Sequence, residues 1–448
     1  MLSEEINDRY TRVDAGTPTG ELMRRYWHPI STVSQMNDKA TKKIRLLGED
    51  LVLYKDKSRT FGLIEPHCAH RRMNMIYGIP EENGLRCPYH GWMFNETGQC
   101  VEQPYEETED PDARFKDKIQ MKAYPVEQKA GLLFAYLGPA PAPLVPNWDV
   151  FAMDDVIRDV GMTILPCNWS QCQEKSLDPV HLEWLHGYWS NFITDMRGEP
   201  DKKWAIRTHE KIKFDEFEYG IYKKRVLNGG SEQDTAWREG HPIVFPYFLR
   251  QGGDGFNRDH WNMTGPAFQI RVPIDDYTTA HWWVMCHQKE AGAPDQRAED
   301  IPFFSPPLIE LDAEGQPYEI LDSNSSQDVA AWITQGAIAD RTGENLGRSD
   351  VGIIMFRKML EENIRVVEDG GDPMNTFRTE QENAYHGMIT ELSPAAAAKR
   401  NGADVGGTGT GNLPFLRQGM ASKYSPIMNQ RGVAGGIDAA ERRKTVGQ

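Results

Sequence analysis

The sequence predicts an α+β protein with two folded units, a small β-sandwich toward the amino terminus followed by a larger antiparallel sheet carrying a few long helices. Three observations predict it. Short apolar runs broken by glycine turns fill residues 43–140, the run GPAPAPLVPNW then reads as a stiff linker, and longer alternating segments share residues 147–395 with helical patterns. A chain of 448 residues exceeds what one ordinary core holds, so two cores are expected.

Residues 1–42 read as a helical lead-in, in which GELMRRYWHPI gives an apolar stripe that Pro29 ends. KIRLLGEDLVLYKD then places a Gly48-Glu49-Asp50 turn between two strands, RTFGLIE follows, and GLLFAYLG closes the first unit. Beyond the linker, RTHEKIKFDEF, GIYKKRVL, PAFQIRVPI and TAHWWVMCH alternate as strands of an antiparallel sheet. Helical patterns flank them at about Trp169 to Tyr188, Ser326 to Gln335 and Val351 to Glu368. Residues 396–448 form a Gly/Ala-rich tail, and no internal repeat is present.

A formal charge of −16 argues against a nucleic-acid partner, because neutralising phosphates needs a basic field. No stretch is apolar for the length a bilayer requires, and MLSEEINDRYTRVDAG lacks the basic start and apolar core of an export signal. A cytoplasmic protein without membrane contact is expected. Its six cysteines are then reduced thiols, with Cys100, Cys167, Cys172 and Cys286 as buried small hydrophobes.

The other two cysteines carry the chemistry. Cys68-Ala69-His70 is answered, after sixteen intervening residues, by Cys87-Pro88-Tyr89-His90. Each arm offers a thiolate first and an imidazole second, so each can give its cysteine to one iron and its histidine to another, the ligand pattern of a Rieske [2Fe–2S] cluster. A structural zinc site takes the same residue types, but usually groups the cysteines in one arm and the histidines in the other. With Gly91 and Trp92 completing CPYHGW, the chain resembles the Rieske non-haem iron oxygenases. That family commonly has glycine two residues after the first histidine, where this chain has Arg72.

A second site lies in NWSQCQEKSLDPVHLEWLHG. His181 and His186 are five apart, about 140° around an ideal helix, so the segment must wind irregularly or end if both imidazoles are to meet one ion. Asp178-Pro179 is a plausible disturbance. Two histidines and one carboxylate on one face of an octahedron are the ligand set of a non-haem Fe(II) oxygenase.

The string is similar to the family's Asp-X₂-His-X₄-His motif, which implies His181 and His186 as ligands of a mononuclear iron. The resemblance gives Asp178 the role of an electron-transfer bridge between an iron-ligand histidine and a cluster histidine of another subunit. It implies the third ligand at Asp350 in ENLGRSDVGIIMFRKML, where the ordinary alternative is a helix cap, with Asp340 and Glu344 as further candidates. Glu174 is either part of this site or a solvated helix charge, and Lys175 stands where many relatives have a neutral residue. His28, His209, His281 and His386 lack partners at ligand spacing and read as hydrogen-bonded structural residues.

The cofactors implied are a Rieske cluster and a mononuclear Fe(II), with O2 as co-substrate. No GxGxxG fingerprint follows a strand, so electrons must come from NAD(P)H through a separate flavin reductase or ferredoxin. The phthalate-dioxygenase-like branch, which the chain resembles along most of its length, acts on aromatic acids or demethylates methoxyarenes. SLDPVHLEWLHG is more like its demethylating members, which implies O-demethylation of a methoxylated, lignin-derived aromatic acid, with ring dihydroxylation of a phthalate-like acid as the alternative. The family's helix-grip catalytic domain and its homotrimers or dimers of trimers complete the expectation. Trp184, Trp189, Phe192, Trp282 and Trp283 are either pocket lining or core, and Arg250 or Arg271 is a candidate for the acid group. Two other function classes compete: a pure electron-transfer protein leaves His181 and His186 unused, and a zinc-stabilised binding module would be colourless.

Overall fold

The computed structural model describes residues 1–390 apart from 113, 155, 197, 199, 204–205, 253–265, 290–291, 306–323 and 389. The tail expected over 396–448 lies outside the described residues.

The chain opens with two short helices, Glu4–Thr11 and Pro18–Met23, whose first amides are capped by the Ser3 and Thr17 hydroxyls. The expected helical lead-in stops there. Trp27–Thr32 is instead a strand, buried along its whole length and paired antiparallel with Leu132–Tyr136. Pro29 stands beside a register shift in that pairing, where a missing N–H is tolerated. Burial on both faces overrode the helical spacing of the apolar residues.

Three small antiparallel sheets follow. Thr41–Leu46, Glu49–Lys55, Phe61–Ile64 and Ala123–Tyr124 form one, and Trp27–Thr32, Leu132–Tyr136 and Val126–Lys129 a second. Ile79–Glu81, Gly84–Arg86, Met93–Phe94 and Cys100–Glu102 form the third. Val52, Tyr54, Ile64, Leu85, Phe94 and Met121 make a core shared with Cys68 and Cys87, so the two ligand arms are tips resting on packed strands. The Pro-Ala run is docked and not free: the Leu144 amide donates to Phe377 O (2.8 Å), and Trp148 is buried among the rings of Tyr219, Phe377 and His386.

The larger unit is built on an eight-stranded sheet. Its spatial order is His209–Phe217, Gly220–Leu227, His241–Val244, Phe248–Gln251, Ala267–Asp275, Thr278–Gln288, Val156–Leu165 and Phe303–Phe304, antiparallel except for the last pair. The register decides which side chains meet the helices. Leu249 opposes Gln269, Gln269 opposes Trp283 and Arg271 opposes His281, so these residues share one face, while Arg250, opposite Phe268, points to the other. Helix Trp169–Ser176 lies over the first face, where Lys223 Nζ donates to Ser176 O (2.8 Å). The long helix Val351–Glu368 lies over it too, with Gly352 so close to the Phe214 ring that a Cβ would collide at 2.4 Å.

Candidate metal centres

The first centre is held by two turns. In one, the Arg72 amide donates to Cys68 O (3.0 Å), and in the other the Gly91 amide donates to Cys87 O (3.0 Å). Both turns need a left-handed residue: Gly91 has φ 78° and Arg72 has φ 61°. This explains why glycine suits the family at Arg72. The arginine is held by guanidinium contacts to His67 O (3.2 Å) and Glu65 (3.5 Å), away from the ligand set.

Cys68 and Cys87 are buried, whereas His70 and His90 are exposed at the tip, their ring centroids 4.5 Å apart. His70 stacks on Trp92 at 4.3 Å and 8°. Burial pushes the Cys68 thiol above its usual range, while amides of His70 and Arg71 point at its sulfur. Buried thiols facing each other with amide donors fit a thiolate-ligated metal group, and the exposed imidazoles give it an edge toward a partner.

The second centre begins where helix Trp169–Ser176 ends. Asn168 caps that helix, Leu177 closes it, and Asp178 Oδ1 accepts from the Val180 amide (2.8 Å) to start the next turn. The helical pattern expected at about Trp169 to Tyr188 is therefore divided at Asp178-Pro179. His181–Glu183 leads into a π-helical turn, Trp184–Tyr188, and then an α-helix, Trp189–Met196. The wider turn is the irregular winding that residues five apart require, and it brings the two imidazoles together with centroids 5.2 Å apart.

The carboxylate beside them belongs to Asp328. Ligand atoms of His181, His186 and Asp328 all lie within 4.8 Å of one another, and Asp328 Oδ1 stands 3.0 Å from His186 Nε2. Helix Asn324–Ile333 carries this aspartate together with Gln327, whose Oε1 accepts from His186 Nδ1 (2.6 Å). That bond leaves the Nε2 lone pair of His186 free for a metal. His181 Nδ1 is buried without a formed hydrogen bond, 3.4 Å from Asp178 Oδ2.

Burial, reinforced by the Lys175 charge, pushes His181 down to about 3 and His186 to about 2, so both are neutral ligands at ordinary pH. Burial alone would raise Asp178, but the neighbouring His181 ring and the Val180 amide outweigh it and hold the carboxyl at about 2. Two neutral imidazoles and a carboxylate whose ligand atoms converge within 4.8 Å fit a divalent metal of the two-histidine, one-carboxylate class.

Asp350 is a correction. Its side chain closes the 3-10 turn that leads into the long helix, with Oδ2 accepting from the Gly347 amide (2.6 Å), and it is not among the residues gathered at the histidines. The further candidates are also engaged elsewhere: Asp340 bonds Thr342, and Glu344 pairs with Arg357. Glu174 is partly buried and clamped by Arg341 (2.8 Å) and Arg357 (2.7 Å), so it is neither a solvated charge nor part of the metal site. Lys175 pairs with Asp328 and lies over the Trp332 ring at 5.1 Å.

Among the aromatic candidates, Trp184, Trp189 and Phe192 are surface-exposed and Trp282 is core. Trp283 stacks on His281 at 4.4 Å on the sheet face toward the helices. His28 bridges Met23 O and the Tyr247 hydroxyl, His209 meets Glu183, and His386 meets the Tyr219 hydroxyl, as structural histidines do.

Residues 26–125 match the Rieske [2Fe-2S] domain family, and residues 315–395 match the family described as LigXa C-terminal domain like. The 5,5′-dehydrodivanillate O-demethylase oxygenase subunit of Sphingobium sp. (strain NBRC 103272 / SYK-6) is 43% identical over 380 residues, 84% of each chain. The phthalate 4,5-dioxygenase oxygenase subunit of Pseudomonas putida is 28% identical over 418 residues, 84% of this chain and 89% of that one. Among solved structures, the terminal oxygenase of carbazole 1,9a-dioxygenase from Novosphingobium sp. KA1 superposes with a TM-score of 0.55 at 18% identity, covering 81% of this chain and 98% of that one.

Proposed function

Because the chain belongs to the Rieske non-haem iron oxygenases, we propose that it O-demethylates a methoxylated aromatic acid, a lignin-derived biaryl such as 5,5′-dehydrodivanillate. The observation that carries this reading is 43% identity to an O-demethylase oxygenase subunit across 84% of both chains. The enzyme is the oxygenase subunit of a multicomponent system, and an NAD(P)H-dependent reductase, with or without a ferredoxin, supplies its electrons.

Cys68, His70, Cys87 and His90 would hold the cluster, and His181, His186 and Asp328 the iron. When bound, these groups relay single electrons and activate O2 for insertion into a C–H bond. The chain's own residues set the stage for that chemistry. Gln327 keeps the proton on His186 Nδ1. Asp178 orients the His181 ring from 3.4 Å, and Lys223 braces the carbonyls of Ser176 (2.8 Å) and Asp178 (3.5 Å) behind it. Hydroxylation of the methoxy carbon gives a hemiacetal, which collapses to the phenol and formaldehyde.

Exposed aromatics support a homotrimer or a dimer of trimers. Trp184, Tyr188, Phe192 and Met196 form an apolar stripe beside the iron-site histidines, and Tyr89, Tyr105 and Phe115 surround the cluster tip. Neither patch suits permanent contact with water. A ring of copies that closes would set the exposed imidazole edge of one subunit against Asp178 of the next. No helix among the described residues is long and apolar enough to cross a membrane.

Incubation with reductase, NADH and a panel of methoxylated aromatic acids is expected to release formaldehyde in step with oxygen uptake. The 28% identity to a phthalate dioxygenase subunit favours ring dihydroxylation as the second reading, and a cis-diol product without formaldehyde would replace the first with it.

A further inference from the structure

Arg271 is a buried cation near the iron site that the proposed mechanism does not use. It is 1% exposed, on strand Ala267–Asp275, on the sheet face toward the metal-site helices. Its guanidinium donates to Gln269 Oε1 (2.7 Å) and, weakly, to Gln269 O (3.5 Å), while Nε has no partner. Among the described residues it forms no ion pair. By contrast, Arg250 is on the opposite face and is taken by Asp149 (2.9 Å). The two arginines that were equivalent in the sequence are therefore separated by sheet register.

A guanidinium buried without a carboxylate is costly, and natural chains keep such a charge where something completes it. Burial pushes Arg271 down to about 9, which records the missing counter-charge. The nearest sulfur does not supply it, because burial keeps Cys172 a neutral thiol. The surroundings lead back to the iron site. Gln269 Oε1 is shared with His281 Nε2 (3.2 Å), the His281 ring stands 5.1 Å from Trp332, and Trp332 lies one helical turn beyond Asp328. His281 Nδ1 is also buried without a partner.

We infer that Arg271 is the carboxylate anchor of the substrate, with Gln269 fixing its fork, Nε and one Nη facing the acid group, and the Trp283, His281 and Trp332 rings flanking the arene. This rests on the proposed reading only in taking the substrate to be an aromatic acid. An arginine fork suits a carboxylate because two parallel N–H donors match its two oxygens. The arrangement makes Arg271 a specificity residue, holding the acid at one end of the molecule while the reacting carbon lies toward the histidines.

The test is anaerobic calorimetric titration of the holoenzyme with 5,5′-dehydrodivanillate, vanillate and their methyl esters, so that binding is read without turnover. The wild-type enzyme is expected to bind at least one acid about thirtyfold more tightly than its ester, the loss typical of a charge-assisted pair. Arg271→Met should erase that preference by weakening the acid alone, with the ester affinity and the cluster's visible spectrum unchanged. Arg271→Gln serves if the methionine variant does not fold. In turnover, KM for the acid should rise far more than kcat falls. Equal binding of acids and esters by the wild type overturns the inference, as does equal loss of both in the variants. Acid binding through Arg271 with a cis-diol product would leave the anchor standing and remove only the demethylation reading.

Discussion

Asp328 and Asp350 both lie near helix starts, and nothing in their immediate sequence ranks one above the other as a ligand. What separates them is the helix face. Asp328 is four residues before the buried Trp332 and next to the fully buried Gln327, so its face turns inward, whereas Asp350 bonds back to Gly347 at a surface turn. The signal that could have found it was a Gln-Asp pair on the inward stripe of NSSQDVAAWI, but a charged residue within an amphipathic helix is more often part of its solvated face than a ligand. The Rieske arms were legible because ligand types and spacing are local, and His181 with His186 because they lie five apart. The third ligand is over a hundred residues further on and is brought in by packing. Asp328→Ala is expected to lower iron from about three to about two per protomer by elemental analysis, leaving the cluster's EPR signal intact. Asp350→Ala should keep all three irons and lose about 1 kcal/mol of stability as a cap. The reverse pattern would return the ligand to Asp350.

At the scale of elements, the break at Asp178-Pro179 and the π-helical turn do what a regular helix could not. An unbroken α-helix would send His181 and His186 to different faces, and the expectation of irregular winding came from that geometry alone. The place of the break was legible at Asp178-Pro179, but not whether the pair would start a helix or kink one, nor the wider turn that follows. Around it the chain is tied down by buried charges, since Glu174 joins the first helix of the motif to Arg341 and to Arg357 on the long helix. This rigidity supports assigning Asp178 to electron transfer and not to folding. Its Oδ1 caps the Val180 amide, its Oδ2 faces His181, and asparagine can keep the cap through its carbonyl oxygen. Asp178→Asn is therefore expected to retain cluster and iron by metal analysis while losing two or more orders of magnitude in turnover. Single-turnover stopped-flow would show a reduced cluster that no longer reoxidises with substrate and O2. Normal, fully coupled turnover would end the bridging role.

Across the whole molecule, the two-unit plan was readable from strand length and the proline-rich connection, while the strand at Trp27–Thr32 was not, because complete burial removes the alternation that marks strands. The exposed aromatic stripes carry an expectation of their own: light scattering should give a mass of three or six protomers, and Phe192→Glu should shift it toward one. A second whole-molecule property follows from buried histidines. His28 is fully buried between Met23 O and Tyr247, and burial pushes it down to about 4, while His281 is held well below its usual value by burial and by Arg271. The unfolded chain binds protons at these sites near pH 6.5, and the native chain does not until much lower pH. Below pH 6.5 the unfolded state therefore holds more protons, and stability rises with pH across that window. The His28 contribution is complete above pH 6.5, falls as the pH is lowered, and is exhausted near pH 4, a loss of about 3 kcal/mol at 1.36 kcal/mol per unit. Depressed carboxylates such as Asp178 add to acid lability only below their own unfolded values, near pH 4. Urea unfolding of the holoprotein is accordingly expected to show a marked fall in midpoint between pH 7 and pH 5, and His28→Gln should flatten that fall by about one proton. A midpoint that stays constant over this range would mean that His28 is protonated in the native state, against its burial in the core.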